Sequence, residues 1–558
     1  MIREGLDGLD GASHAICVVG AGPAGISLAL ELARLGRRVL VLESGGDGPD
    51  PAAQGLSDAH IVDPARHDPM AIAVSRRLGG TSNLWGGRCL PYDPIDFEPR
   101  AAVGEASWPI GYDELAPHYA RAVDYACAGA PVFTTQELSG DGSVFSTAQL
   151  ERWSARRKLQ EPHGPALERN LLIDLRLHAT VVSIRWDEGR VRSVEVADRA
   201  GGRVEVPVDT LVLATGGLES TRLLLAEQRK SPARFGGPDG ALGRYYMGHW
   251  IGEIADLSFT TDAADRAFDF SIDAHGSYMR RRITPSADLL RREDLLNCAF
   301  WPVVPRMADP AHRDGFLSAV ALALSAPVLG PRLIPEAIRR RHIPPNMPRG
   351  AHLANVLRDL PRAAWDTGRL LRRRYLADPP APAFYKRNAA RRYGLSYHSE
   401  QSPRRDSRVA LGRDRDAFGL PRLSIDLRFS REDAAKIARL HDRLAGFVAD
   451  AGLGRVAFRQ PAEERIDAVL AQASHGTHQI GTARMGASAG AAVVDKDLLC
   501  FGSRNLYVLS AAVLPTSGQA NPTLTVLALG MRLAAHLARA ASAPALRSRP
   551  AGLEPAIP

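Results

Sequence analysis

The chain is poor in cysteine, lysine and aromatic residues. Only five cysteines occur in 558 residues: Cys17, Cys89, Cys127, Cys298 and Cys500. The number is odd and no two are spaced C-x-x-C. This argues against a disulfide framework, a zinc site or an iron–sulfur cluster, and no metal is expected. It suits a reducing compartment, and a cytoplasmic location is expected. Long apolar runs are also missing. The longest, Phe316 to Ile334, is broken by Pro327, Gly330, Pro331 and Arg332. A spanning helix needs about 20 clean apolar residues, so no transmembrane segment is expected. Residues Met1 to His14 hold neither an apolar signal core nor a twin arginine.

Lysine is scarce in an unusual way. Five of the 70 basic residues are lysine, so 65 are arginine, against 62 acids and a net charge of +8. Such a balance first suggests a nucleic-acid partner. Acids are interspersed with the arginines nearly everywhere, and arginine-for-lysine usage also follows from coding bias. No nucleic-acid partner is expected, and a basic nucleic-acid-binding protein is a remote alternative. Hydrophobic residues make up 45% and charged residues 24%. Those are ordinary values for a soluble globular protein, here of roughly three to four domain equivalents by length.

What is present begins at Ala15–Gly20, a short apolar run that predicts a buried strand. Gly20-x-Gly22-x-x-Gly25 follows and opens a helical pattern, Ile26 to Leu35. A second strand, Arg38 to Leu42, ends at Glu43. Gly20 permits the tight turn, Gly22 lets backbone approach a pyrophosphate, and Gly25 lets helix and strand pack closely. The helix N-terminus offers free N–H groups to the anion. Glu43 lies 23 residues after Gly20, where an acid binds ribose hydroxyls. Two features favour FAD over NAD. A second glycine pair sits in Arg77–Ser82, and no second G-x-G-x-x-G exists for a separate nicotinamide domain.

Further along, 112–125 and 146–160 look helical. Strands are expected at 171–177, 181–186, 191–196, 204–206 and 210–214, then a helix at 220–228. Residues 253–260 and 420–428 are β-like. Helices are expected at 353–374, bent at Pro361, and at 431–451. A strand at 506–510 precedes a helix from Pro522 to Ala540. The tail 542–558 is expected to be disordered.

Several segments carry a resemblance. These are Gly79–Gly87 (GGTSNLWGG), Pro94–Glu98, Ala214–Ser220 (ATGGLES), Glu400-Gln401 with Asp406–Val409, His478–Thr482, Arg484–Gly486, and Ser517–Thr523 (SGQANPT). Together they resemble the glucose–methanol–choline (GMC) oxidoreductases, and the bacterial sugar- and pyranose-oxidising branches among them. The matches run from about residue 15 to 540, with a poor stretch at 260–380.

The resemblance implies an α/β fold, α+β overall. A Rossmann-like FAD domain spans 1–250 and 475–541, with core pieces about 14–110, 165–250 and 475–541. A substrate domain on a mainly antiparallel sheet with helices spans 251–474. It implies His478 and Asn521 at the flavin N5 edge. A neutral imidazole takes the hydroxyl proton, worth about 10²–10⁴ in rate, while Asn521 orients the same oxygen and hydride passes to the flavin. The implied cofactor set adds Pro23, Ala24, Ser44, Gly80, Thr81, Ser82, Asn83 and Leu84 to Gly20, Gly22, Gly25 and Glu43. It continues with Val181, Ala214, Ser510, Ala511, Pro522 and Thr523.

His475 and His249 are expected to be structural, and Trp85 to pack the loop. Leu84 stands where some relatives carry a histidine bonded to FAD, so non-covalent FAD is expected. Ser510-Ala511-Ala512 replaces the family's frequent Asp-Ala-Ser and weakens the expected hold on FAD. A small-molecule alcohol substrate and an O₂, quinone or dye-type acceptor are implied. A flavin-dependent lyase on the same fold is the alternative. The stretch 316–376, with Arg339-Arg340-Arg341, is either a solvated basic face or a peripheral docking surface.

Overall fold

The structure, a computed structural model, describes every residue except 105, 335, 337, 338, 340, 341, 384 and 541–558. The expected disordered tail, and Arg340-Arg341, lie outside the described residues.

The strand Cys17–Val19 is buried on both faces. Such near-continuous apolar strands belong to parallel sheets covered on both sides. It is central in a six-stranded parallel sheet ordered 2–4, 173–177, 39–42, 17–19, 211–213, 506–508. The edge strand Ile2–Glu4 has no counterpart among the expected elements. It is short and half exposed, and its pairing to Ile173–Leu177 supplies the order. Helix Pro23–Arg34 follows the central strand, with Gly22 at its N-cap and no side chain capping it. Its first N–H groups therefore remain for a ligand. Helix Thr523–Ala540 packs on this helix and on Tyr112–Tyr125.

Strands Thr180–Asp187, Arg190–Ala197 and Arg203–Pro207 form an antiparallel meander. A separate four-stranded antiparallel sheet is ordered 298–303, 392–399, 250–259, 454–458. Helix Arg431–Asp450 covers it with Ile437, Leu440, Leu444 and Val448, buried at spacings of three and four. The fold is thus the expected mixed α/β architecture. Helices Gly315–Ser325, Arg349–Arg358 and Leu360–Leu371 surround a smaller core of Phe316, Leu317, Ala321 and Leu324. Pro361 marks the break between the last two helices. No described helix is long and apolar enough to cross a membrane.

One element departs from expectation. Residues 146–160 are not a helix. Leu150–Trp153 is a strand between Arg88–Cys89 and Tyr278–Arg281, and the helix starts only at Gln160. The reason is electrostatic. Glu151 is fully buried and meets Arg88 and Arg280 from the flanking strands, a tertiary pairing that no helical period reveals.

Candidate active site

The fingerprint glycines are held by contact. Gly20 has φ +100°, and a Cβ there would meet the Ala214 carbonyl oxygen at 2.7 Å. A Cβ on Gly25 would meet the Gly20 carbonyl oxygen at 1.9 Å. Glu43 accepts the Ala21 N–H and the Gly45 N–H, both at 2.8 Å. Burial pushes its carboxyl up, while the two amides pull it down.

One cavity runs from this turn to the C-terminal constellation. Gly20, Gly22, Pro23, Ala24, Glu43, Ser44, Gly80 and Thr81 line it. So do Val181, Ala214, Ser510, Ala511, Pro522, Thr523 and His478. Backbone free to approach a pyrophosphate, an uncapped helix N-terminus and a buried acid together fit a dinucleotide. Gly25, Ser82, Asn83 and Leu84 support the walls instead, and Ser510 both lines the cavity and caps a turn. Gly25 packs helix on strand. Ser82 donates to the Gly79 carbonyl at 2.5 Å and accepts the Leu159 N–H. Asn83 donates to the carbonyls of Leu78 and Gly80 at 3.0 and 2.8 Å. Leu84 ends the short helix Gly80–Asn83. Ser510 accepts the Ala512 N–H and so caps the next turn.

His478, in the cavity wall, meets Asn521. Asn521 Nδ2 lies 3.0 Å from His478 Nε2. Arg88 Nε donates to Asn521 Oδ1 at 2.7 Å, which fixes the amide with its NH₂ toward the imidazole. His478 Nδ1 lies 2.9 Å from His249 Nδ1, and His249 Nε2 lies 3.2 Å from the Ser517 carbonyl oxygen. A carbonyl only accepts, so His249 carries its proton on Nε2. Its Nδ1 then accepts from His478 Nδ1–H, and His478 Nε2 is left with a lone pair facing Asn521. Burial, aided by the charge of Arg88, pushes His249 down to about 3. His249 is therefore neutral and keeps this order of donors.

His249 thus orients His478 directly, beyond the packing role expected of it. His475 accepts the His478 backbone N–H at 3.3 Å. Ring nitrogens of His249, His475 and His478 lie within 4.8 Å of one another, a closeness that these hydrogen bonds already explain. His398 stacks on His249 with ring centroids 4.3 Å apart and donates from Nδ1 to the Gln519 carbonyl at 2.6 Å. Burial first, then neighbouring His249 and Arg88, hold it well below its ordinary value.

Behind Arg88 the charge is unbalanced. Arg88, Arg280 and Arg282 converge on the single carboxylate Glu151. Burial brings Arg88 down to about 10. Arg282 also donates to Gln519, whose amide donates to Asp93 at 2.8 Å. Sequence reasoning missed Arg88, Glu151, Arg280, Arg282 and His398. The one available signal was Arg280-x-Arg282 at the end of a strand, where extended backbone puts both arginines on one side.

Residues 403–530 match the family described as "GMC oxidoreductase". Residues 14–236 match "Pyridine nucleotide-disulphide oxidoreductase". The chain is 23% identical to 2-methyl-1,2-propanediol dehydrogenase of Mycolicibacterium austroafricanum, over 94% of this chain and 95% of that one. It is also 23% identical to paromamine 6'-oxidase of Streptomyces fradiae, over 94% and 91%. Identity to C-glycoside 3-oxidase of Microbacterium trichothecenolyticum is 32%, over 29% and 28%. Among solved structures, a fungal aryl-alcohol oxidase is similar with a TM-score of 0.51 at 15% identity, covering 96% of this chain and all of that one. Pyridoxine 4-oxidase from Mesorbium loti is similar at 0.50 and 17%, covering 94% and 99%. The C-terminal part of the chain thus carries the GMC oxidoreductase domain and its N-terminal part a flavoprotein-type nucleotide-binding one, and the relatives it resembles along its whole length are dehydrogenases and oxidases.

Proposed function

We propose that this protein oxidises a CH–OH group of a sugar, glycoside or other alcohol to the carbonyl, with His478 as base and Asn521 orienting the hydroxyl. The carrying observation is the ordered chain from Arg88 through Asn521, His478 and His249 to the Ser517 carbonyl. It leaves one basic lone pair, on His478 Nε2, beside one fixed donor, Asn521 Nδ2. An alcohol oxygen that replaces their mutual hydrogen bond donates its O–H to Nε2 and accepts from Nδ2. Proton removal there raises electron density on the carbon that loses hydride. FAD, when bound, supplies the hydride acceptor. The helix that begins after Asn521-Pro522 points its positive end toward the same region.

Residues 1–250 and 475–541 serve the cofactor in this reading, and 251–474 the substrate. Leu84 offers no nucleophile, so FAD is held without a covalent bond. Acid precipitation leaves the yellow colour in the supernatant, and a yellow pellet overturns this point. Electrons leave to O₂ or to a quinone or dye-type acceptor. The thiols of Cys17, Cys89, Cys298 and Cys500 are buried, which supports a cytoplasmic setting.

The test is anaerobic flavin reduction across an alcohol panel, with wild type and His478→Ala side by side. Wild type bleaches with its substrate, and the variant is slower by about 10²–10⁴. Equal rates would falsify the assignment of the base. Turnover without bleaching would point to lyase chemistry instead.

A further inference from the structure

Helices Arg349–Arg358 and Leu360–Leu371 are amphipathic the wrong way round for a water-facing surface. The face turned to the protein is polar or small. His352 meets Ser318 Oγ at 3.0 Å. Asn355 donates to the Pro310 carbonyl at 2.8 Å and to Ser318 at 3.2 Å. Ala363 and Asp366 are buried, and Asp366 pairs with Lys386 at 3.1 Å. The apolar side chains point outward. Trp365 is 74% exposed, Leu357 64%, Leu353 52% and Leu360 50%. Leu371 and Leu376 are exposed as well. Leu353 with Leu357 and Leu360 with Leu371 keep helical spacing, and Trp365 stands about 140° round the helix from Leu360, on its outer side. Large apolar side chains exposed along two successive helices mark an interaction site.

The charge around the stripe selects the occupant. Residues 349–376 hold seven arginines, at 349, 358, 362, 369, 372, 373 and 374, against two acids, Asp359 and Asp366. Asp366 is taken by Lys386 and by Arg369. A second copy of the chain would oppose arginine to arginine. An anionic phospholipid surface complements both features, because phosphates meet the arginines while leucine and tryptophan enter the acyl boundary.

We propose that helices 349–371, with the following turn to Leu376, seat this enzyme on an anionic phospholipid bilayer as an interfacial anchor. The seat ends close to the flavin loop. Asp378 pairs with Arg156 at 3.0 Å, and the neighbouring Arg157 carbonyl accepts the Trp85 indole N–H at 2.5 Å. The anchor therefore adjoins the segment that walls the cavity.

The flavin-loaded enzyme is sedimented with vesicles of phosphatidylcholine alone and of phosphatidylcholine mixed with phosphatidylglycerol. Binding is expected to the mixed vesicles only, and added salt weakens it. Arg362→Glu/Arg372→Glu, at two exposed arginines, lowers affinity about a hundredfold. Leu357→Gln/Trp365→Gln/Leu371→Gln abolishes pelleting. Flavin absorbance, melting temperature and turnover of a water-soluble alcohol stay unchanged in both, because the altered residues lie outside the catalytic machinery. Wild type that stays in the supernatant with both vesicles overturns the proposal. So does vesicle binding that both variants retain. Wild type that is dimeric beside a monomeric Leu357/Trp365/Leu371 variant also overturns it, and assigns the face to a second copy.

Discussion

Arg88 and Asn521 lie 433 positions apart in the chain, and the guanidinium Nε donates to the amide oxygen at 2.7 Å. The bond holds the amide in one of its two orientations. With Oδ1 occupied, Nδ2 faces His478 Nε2 and the space where a hydroxyl would bind. Arg88 is in turn held by Glu151 at 3.3 Å and lies over the Trp301 ring at 4.8 Å. Arg88 is therefore a positioning residue that acts through Asn521.

Coupling follows from this arrangement. Asn521→Ala and Arg88→Met each slow anaerobic flavin reduction. The double variant is expected to be little slower than Asn521→Ala, with a coupling energy of about 0.5–3 kcal/mol. Stopped-flow rates for the four proteins check it. Strict additivity would mean that Arg88 does not act through the amide.

His249 fixes the tautomer of His478. His249→Phe removes the acceptor for Nδ1–H, and the proton is then free to move to Nε2, where it blocks the base. The flavin-reduction rate should fall by about ten- to a hundredfold, with substrate KM changed much less. The readout that separates positioning from packing is the pH profile. Burial keeps His249 neutral down to about 3, so it adds no titration of its own near neutral pH, and the acid limb is expected to move in His249→Phe. An unmoved limb would leave His249 a packing residue.

Gly25→Ala places a methyl at 1.9 Å from the Gly20 carbonyl oxygen. The contact is with backbone, so helix Pro23–Arg34 must shift off the strand. Purified Gly25→Ala protein is expected to be colourless or poorly folded, as read by the flavin-to-protein absorbance ratio. By contrast, nothing lies within 4 Å of a Cβ on Gly350. Gly350→Ala therefore keeps its colour and serves as the control.

Acid stability carries the signature of a third histidine. His441 is fully buried between Phe300 and Tyr397, and burial brings it down to about 4. The unfolded chain protonates this residue near its ordinary value of about 6.5. Between those values the unfolded state binds the extra proton. The stability from a neutral His441 is complete above pH 6.5 and declines as pH falls toward 4. His441→Phe removes this loss. Relative to wild type it should gain about 2 kcal/mol on going from pH 7 to pH 5. Urea unfolding at the two values measures it, and an unchanged difference would show that His441 protonates in the folded state.

The dinucleotide half was legible because its signals are local. Strand, glycine turn, helix and acid follow one another within 15–43, and each bears on its neighbour. His478 and Asn521 were legible as parts of short motifs. Arg88, Glu151, His249 and His398 were not, because their meaning comes from partners brought together by two different sheets and the loops around 478 and 517–521. Glu151 in particular sits in a segment whose composition suits a helix. Only the arginines on the flanking strands make a buried strand position tolerable for it. The outward leucines of 349–371 were ambiguous for the opposite reason. A helical period shows that a stripe exists, and the packing of His352, Asn355 and Asp366 decides which way it faces.

The cavity has a consequence for how the protein is made. Its lining begins at Val19 and ends at Leu527. During synthesis the first βαβ unit appears several hundred residues before Ser510, Pro522 and Thr523. Until then the strand Leu211–Leu213 has an open edge where Leu506–Val508 will pair. The cavity is therefore walled only once both ends of this lining are in place. A prematurely terminated product presents an unpaired edge and an unclosed groove, and its lack of colour separates it from complete enzyme.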